Sequence, residues 1–149
     1  MYTKLKILFL CTGNSCRSQM AEGWTRHLRN DDIEPYSAGV DPHPLDPRAV
    51  KAMAEVGVDI SMQTSKNIDA LGDIEFDYVV TVCDKAHESC PFFPARTRVT
   101  HVGFDDPPRL ATGARTEEEA MAHYRRVRDE IKAFVGKFPE ILDEKNQEK

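Results

Sequence analysis

The sequence predicts an α/β fold: a four-stranded parallel sheet with helices on both faces. Three observations carry that prediction. Short β-prone apolar runs alternate along the chain with runs of helical period, and such alternation calls for a parallel sheet with crossover helices. The first run, Leu5-Lys6-Ile7-Leu8-Phe9-Leu10, is apolar nearly throughout, as a strand covered on both faces must be. It leads directly into Cys11-Thr12-Gly13-Asn14-Ser15-Cys16-Arg17-Ser18, a loop composition placed between a strand and a helix. The 149 residues suit one domain, 1–149, large enough to bury a core.

Each element has its own local warrant. From Ser18 to about Arg29 a helix fits, with Met20, Ala21, Trp24 and Leu28 on one stripe and Asn30-Asp31-Asp32 as its stop. Ile33 to Ala38 reads as a weak strand, and Gly39 to Pro47 as a loop with three prolines. Asp46-Pro47 reads as N-cap and first helical position. Ala49, Val50, Met53 and Val56 would then line the buried face, and Gly57 would close the helix. The stretch 60–72 is polar, with a short helix near Asn67–Leu71. Asp77 to Cys83 and Arg98 to Val102 are β-prone. Thr116 and Glu119 form a capping box opening a long helix through Tyr124, Val127, Ile131, Phe134, Val135 and Phe138. Pro139 ends or kinks that helix, and Asp143–Lys149 reads as a solvated tail.

Composition narrows the partners. The net charge is −5, with 30% charged and 40% hydrophobic residues, so no basic face is offered to nucleic acid or to an acidic membrane. No apolar run approaches the length of a membrane span or a secretory signal, and a cytoplasmic location is expected. In that compartment the four cysteines read as catalytic, redox or metal-binding groups rather than structural cross-links.

The loop after the first strand has the chemistry of an oxyanion cradle. Its backbone N–H groups and the N-terminus of the next helix carry positive potential. Arg17 adds a planar guanidinium that matches two oxygens. In that field the Cys11 thiol is expected to have a lowered pKa and to be the nucleophile. Thr12, Gly13, Asn14, Ser15, Cys16, Arg17 and Ser18 are the expected substrate-binding residues, with the Cys16 side chain itself a small filler. Asp106, in Asp105-Asp106-Pro107, is the candidate general acid, with an extended backbone enforced by the following proline. Ligands in such sheets bind at strand carboxyl ends, where the strand order reverses. Cys11, Cys83 and Asp105-Asp106 all fall at such ends, and they meet if the first strand neighbours the third. Cys83 and Cys90 add two further thiols. A helical 84–89 would hold them too far apart for a disulfide, so a bond between them requires the linker to loop out. A zinc site from Cys83, His87 and Cys90 lacks the usual spacing.

These motifs together resemble the thioredoxin-coupled arsenate reductases, which share the fold of the low-molecular-weight protein tyrosine phosphatases. The likeness runs from Cys11 to Trp24 and through Tyr36-Ser37-Ala38-Gly39, Asn67-Ile68-Asp69, Val82-Cys83, Cys90-Pro91, Gly103 to Pro107 and Arg125 to Ile131. It implies that Cys11 attacks arsenate held by the loop and Arg17, that Asp106 protonates the departing oxygen, and that Cys83 and then Cys90 resolve the adduct. It also implies that thioredoxin reduces the final disulfide, with no resident cofactor, a monomeric state and a weak phosphatase side activity. A phosphatase of the same fold is the competing enzyme, and a thiol module binding arsenite or zinc without turnover the competing non-enzyme. Some relatives hold a potassium ion through an Asn, a Glu, a Ser and an acidic residue. Asn14, Glu22 and Ser37 match, but Lys66 follows Thr64-Ser65 here, so no metal site is carried over.

Overall fold

A computed structural model describes residues 4–83, 93–94 and 96–147, with side chains as far as Asp143. The elements are β1 (Leu5–Cys11), α1 (Arg17–Arg29), β2 (Ile33–Gly39), α2 (Pro47–Ala54), a 3₁₀ turn at Ile68–Leu71, β3 (Tyr78–Thr81), β4 (Arg98–His101), α3 (Pro107–Ala111), α4 (Glu117–Val135) and α5 (Glu140–Gln147). The four strands form one parallel sheet in the order β2-β1-β3-β4. β1 therefore lies between β2 and β3, and the strand order reverses at its carboxyl end. In register, Leu10 faces Ala38 on one side and Thr81 on the other. The first and third strands are adjacent, which meets the condition for Cys11, Cys83 and Asp105-Asp106 to converge.

Burial explains β1. Ile7, Leu8, Phe9 and Leu10 are all fully buried, as the unbroken apolar run requires. α1 packs on β1, β2 and α4. Its Trp24 is buried, and the indole N–H donates to the Arg128 carbonyl of α4 at 3.0 Å. Asp46 caps α2 through Oδ1, which accepts from the Arg48 N–H at 2.9 Å. Asn67 caps the 3₁₀ turn. At the start of α4, Thr116 Oγ1 accepts from the Glu119 N–H at 3.1 Å, but Glu119 reaches the Arg115 N–H, one residue earlier than a reciprocal box requires.

Three expectations need correction. Val56 is exposed rather than on the buried face of α2: the regular helix runs to Ala54 and its end is closed, as expected, by Gly57 at φ +80°, with the Gly57 N–H donating to the Ala54 carbonyl and the Val58 N–H to that of Met53, both at 3.0 Å. The long helix stops at Val135, ahead of Pro139. The residues after Pro139 form α5 rather than a solvated tail, because Leu142 is fully buried and Asp143 pairs with Arg98 and accepts from the Tyr78 hydroxyl. The helix considered over 84–89, between the third and fourth strands, lies outside the described residues.

Gly39 ends β2 beneath the Cys11 loop. A Cβ there would lie 2.5 Å from the Thr12 carbonyl oxygen and 3.0 Å from the Asn14 nitrogen, both backbone atoms that cannot swing aside. Gly39→Ala is therefore expected to cost about 1–3 kcal/mol, a fall in Tm of roughly 3–10 °C. Differential scanning calorimetry checks this, and an unchanged Tm would show that the loop is not seated on Gly39.

Candidate active site

The loop 12–16 is shaped by what its carbonyls bond to. The Cys11 carbonyl accepts from Val40 N–H (3.3 Å), Thr12 from Asp41 (2.9 Å), Gly13 from His43 (2.8 Å), Ser15 from Asp46 (3.0 Å) and Cys16 from Met20 (2.9 Å). The Asn14 carbonyl accepts from Gln19 Nε2 at 2.9 Å, and the Ser65 hydroxyl donates a second bond to Gly13 at 3.0 Å. Six successive carbonyls thus face the surrounding scaffold. In a planar trans peptide the next residue's N–H points the other way, so the N–H groups of residues 12–17 turn toward the cavity that this loop lines. Asn14 supplies the turn: its φ is +48°, a conformation Asn tolerates better than most residues. Its buried side chain donates to Ser18 Oγ at 2.9 Å and accepts from the Lys66 N–H at 3.0 Å. Ser18 therefore steadies the loop. A Cβ at Gly13 would lie 2.9 Å from the exposed His43 ring, which would have to swing aside to admit it.

The cavity measures about 470 Å³ and brings together Cys11, Thr12, Gly13, Ser15, Cys16, Arg17, Cys83 and Asp106. Arg17 opens α1 and is largely buried. Its Nη1 donates to the Phe104 carbonyl at 2.9 Å and to Val82 at 3.5 Å, and its Nη2 lies 3.6 Å from Asp106 Oδ1. Two strand ends thus aim the guanidinium. Asp106 precedes α3 without capping it and has extended backbone, which leaves its carboxyl directed at Arg17. Cys83 follows β3, is buried, and has its sulfur 3.2 Å from the Thr12 hydroxyl. Cys90 lies outside the described residues.

The electrostatics of Cys11 differ from the sequence-based expectation. Its thiol is pushed well above the ordinary cysteine range, first by a hydrogen bond with the Cys83 thiol and then by burial. The Arg17 charge and the Thr12 N–H pull it down but do not prevail. The loop field is present as expected; the neighbouring thiol outweighs it. Cys16 is buried and also pushed up, by burial and by the Asp46 and Asp106 carboxylates, consistent with a filler. His43, Pro108 and Arg109 also line the cavity. No sequence signal marked them: His43 stands in the loop after β2, and Pro108 and Arg109 in the short helix α3, at positions of ordinary composition.

Lys66 occupies the place where some relatives are expected to hold a cation. Its Nζ donates to the carbonyls of Ser37 (3.0 Å) and Thr64 (2.7 Å), and Ser37 Oγ donates to Glu22 Oε1 at 2.6 Å. Burial lowers the Lys66 pKa while the Glu22 charge opposes that shift. The ammonium already takes the oxygens a monovalent ion would need, so the residues do not fit a bound potassium. Among the described residues, no group of three or more His, Cys, Asp or Glu is placed to hold a metal, and no helix is long and apolar enough to cross a membrane.

A strand-borne cysteine, an inward-facing N–H loop, an arginine at the head of the next helix and a facing aspartate define the class of cysteine-dependent oxyanion-binding proteins. Within that class the chain belongs to the low molecular weight phosphotyrosine protein phosphatase family, whose model matches residues 6–148. It is 54% identical over 140 residues to an arsenate reductase of Shouchella clausii (strain KSM-K16), covering 93% of this chain and 97% of the relative. A solved structure of an arsenate reductase in the phosphate binding state superposes with a TM-score of 0.72 at 28% identity, over 95% of this chain and 98% of that one. Another, of an arsenate reductase in oxidized state, gives 0.75 at 28% identity, over 92% and 98%.

Two measurements test this site. With its pKa raised, Cys11 is protonated at neutral pH in the reduced, anion-free protein, and its reactivity climbs as pH rises toward that pKa. Cys83→Ala is expected to shift the alkylation midpoint of Cys11 with iodoacetamide, followed on the Cys11 peptide by mass spectrometry, to lower pH. An unmoved midpoint would remove Cys83 as the cause. Exchanging sodium for potassium is expected to leave Tm and turnover unchanged. A several-fold rise in turnover would show that Lys66 does not stand in for the ion.

Proposed function

We propose that this chain reduces arsenate to arsenite through a relay of Cys11, Cys83 and Cys90, with thioredoxin as the external reductant. The observation that supports it best is the second thiol in the cradle: Cys83 hydrogen-bonds Cys11 and is held 3.2 Å from the Thr12 hydroxyl. A phosphatase needs Cys11, Arg17 and an acid, and has no use for a thiol there. The names of the curated relatives point the same way.

The steps balance. Arsenate occupies the cradle on the N–H groups of residues 12–17 and on Arg17. The Cys11 thiolate attacks arsenic, an As–O bond breaks, and Asp106 supplies the proton with which the oxygen leaves as water. The product is a Cys11 S–As(V) adduct. The Cys83 thiolate then attacks the Cys11 sulfur. The S–As bond breaks with its electron pair going to arsenic, arsenite leaves as As(III), and the two thiols are oxidised to a Cys11–Cys83 disulfide. Cys90 attacks the Cys83 sulfur and expels the Cys11 thiolate. The resulting Cys83–Cys90 disulfide takes two electrons from thioredoxin, which returns the chain to its reduced state. A reader of the same site as a phosphatase would have water hydrolyse the adduct instead.

Cys83→Ser separates the two. It is expected to abolish arsenate-dependent NADPH oxidation in the presence of thioredoxin and thioredoxin reductase, while a weak hydrolysis of para-nitrophenyl phosphate persists. Full arsenate turnover by this variant would overturn the relay, and equal loss of both activities would refute the role given to Cys83.

A further inference from the structure

The charges around the mouth of the cavity are not all paired. Asp106 is engaged by Arg17 at 3.6 Å, and Asp105 by Arg126 at 3.1 Å. His43 stands 3.9 Å from Asp41. Arg109, in the last turn of α3, lines the same cavity as Cys11 and Arg17 and is exposed. No acid among the described residues lies within ion-pair distance of it. It also lines the adjoining surface hollow beside Asp105 and Asp106. Beyond the loop, Cys83 and Asp106, the described lining of the cavity is His43, Pro108 and Arg109, with no Phe, Tyr or Trp among the described lining residues. In a chain of net charge −5, an anion meets a repulsive surface except where a cation is left uncompensated.

From this arrangement we propose that Arg109 is a second cationic group for the substrate, a binding and steering residue at the mouth that selects small, multiply charged inorganic oxyanions. The proposal deepens the arsenate reading and rests on it for the identity of the substrate; oxyanion capture itself does not depend on the later thiol steps. Arg17 is fixed by two carbonyls and Asp106 and sits deep in the pocket. Arg109 is exposed and pairs with no acid among the described residues, and acts through space before the anion reaches the loop. A rim charge of this kind alters association and its salt dependence and leaves the chemical step alone. It differs from Arg17, whose fork must match oxygens directly, and any cation at position 109 should serve.

The test uses the full reduced protein and two probes, inorganic phosphate binding by calorimetry and arsenate turnover. Arg109→Ala is expected to weaken phosphate binding and raise KM for arsenate by about three- to tenfold, with kcat unchanged and with a flatter dependence of both on ionic strength. Arg109→Lys is expected to keep most of the wild-type affinity and its salt slope. Wild-type affinity in Arg109→Ala, an unchanged salt slope, or a loss in Arg109→Lys equal to that in Arg109→Ala would each overturn the proposal. If Arg109→Ala weakens phosphate binding while the wild-type protein shows no arsenate turnover, Arg109 keeps its role and the arsenate reading fails. If the wild-type protein binds no phosphate, both fail.

Discussion

The site rests on one constraint: the carbonyls of residues 11–16 are all bonded away from the cavity. Each such bond contributes only about 1 kcal/mol net, but a buried carbonyl left without one would cost about 1–3 kcal/mol. The loop therefore has little freedom to rotate a peptide and turn an oxygen inward. The donors come from Val40, Asp41, His43 and Asp46 between β2 and α2, and from Gln19 and Met20 in α1. A composition that looks like an ordinary proline-containing connection is in fact the outer mould of the anion cradle. Asp46 joins three parts of it, since it also caps α2 and accepts from the Tyr124 hydroxyl of α4 at 2.5 Å.

Cations are layered on this frame at different depths. Lys66 lies beneath the loop, tying Ser37 and Thr64 carbonyls together while its own N–H holds Asn14. Arg17 stands at the cavity wall, pinned by carbonyls at the ends of the strands. Burial of the Lys66 ammonium lowers its pKa, which is the electrostatic cost of placing a charge under the loop in place of a neutral group. Its hydrogen bonds to carbonyls offset that cost.

Much of this was legible in the sequence, and the reasons differ by element. β1, the Cys11 loop and α1 announced themselves because their signals are local: an apolar run, a glycine and Asn turn, and a helical stripe. The parallel sheet followed from alternation, and the convergence of strand ends at one site followed only on the condition that the first strand neighbours the third, which the strand order β2-β1-β3-β4 meets. The contacts that decide the chemistry were not local. Thr12 and Cys83 meet across 71 residues, through the parallel register of β1 and β3, and no spacing rule encodes that. The same holds for Lys66, whose side chain could equally have turned to solvent, and for α5, where one buried leucine outweighs a polar tail composition. The direction of the Cys11 pKa failed for a related reason. Loop and arginine could be read from the motif, but the size of the opposing terms depends on burial and on a thiol from another strand.

That opposing thiol also suits the order of events in the proposed relay. Two buried thiols sharing one field cannot both ionise cheaply, because the second negative charge meets the first at close range. The pair therefore offers one thiolate at a time. While Cys11 is the nucleophile, Cys83 serves best as its protonated, hydrogen-bonded neighbour. Once the Cys11 sulfur is bonded to arsenic its negative charge is gone, and the repulsion that disfavoured a Cys83 thiolate goes with it. The Arg17 charge and the Thr12 hydroxyl then act on Cys83 without a competing anion on the adjacent sulfur. In that reading, the contact that makes Cys11 a poorer thiolate at rest is also what delays Cys83 until its target has formed.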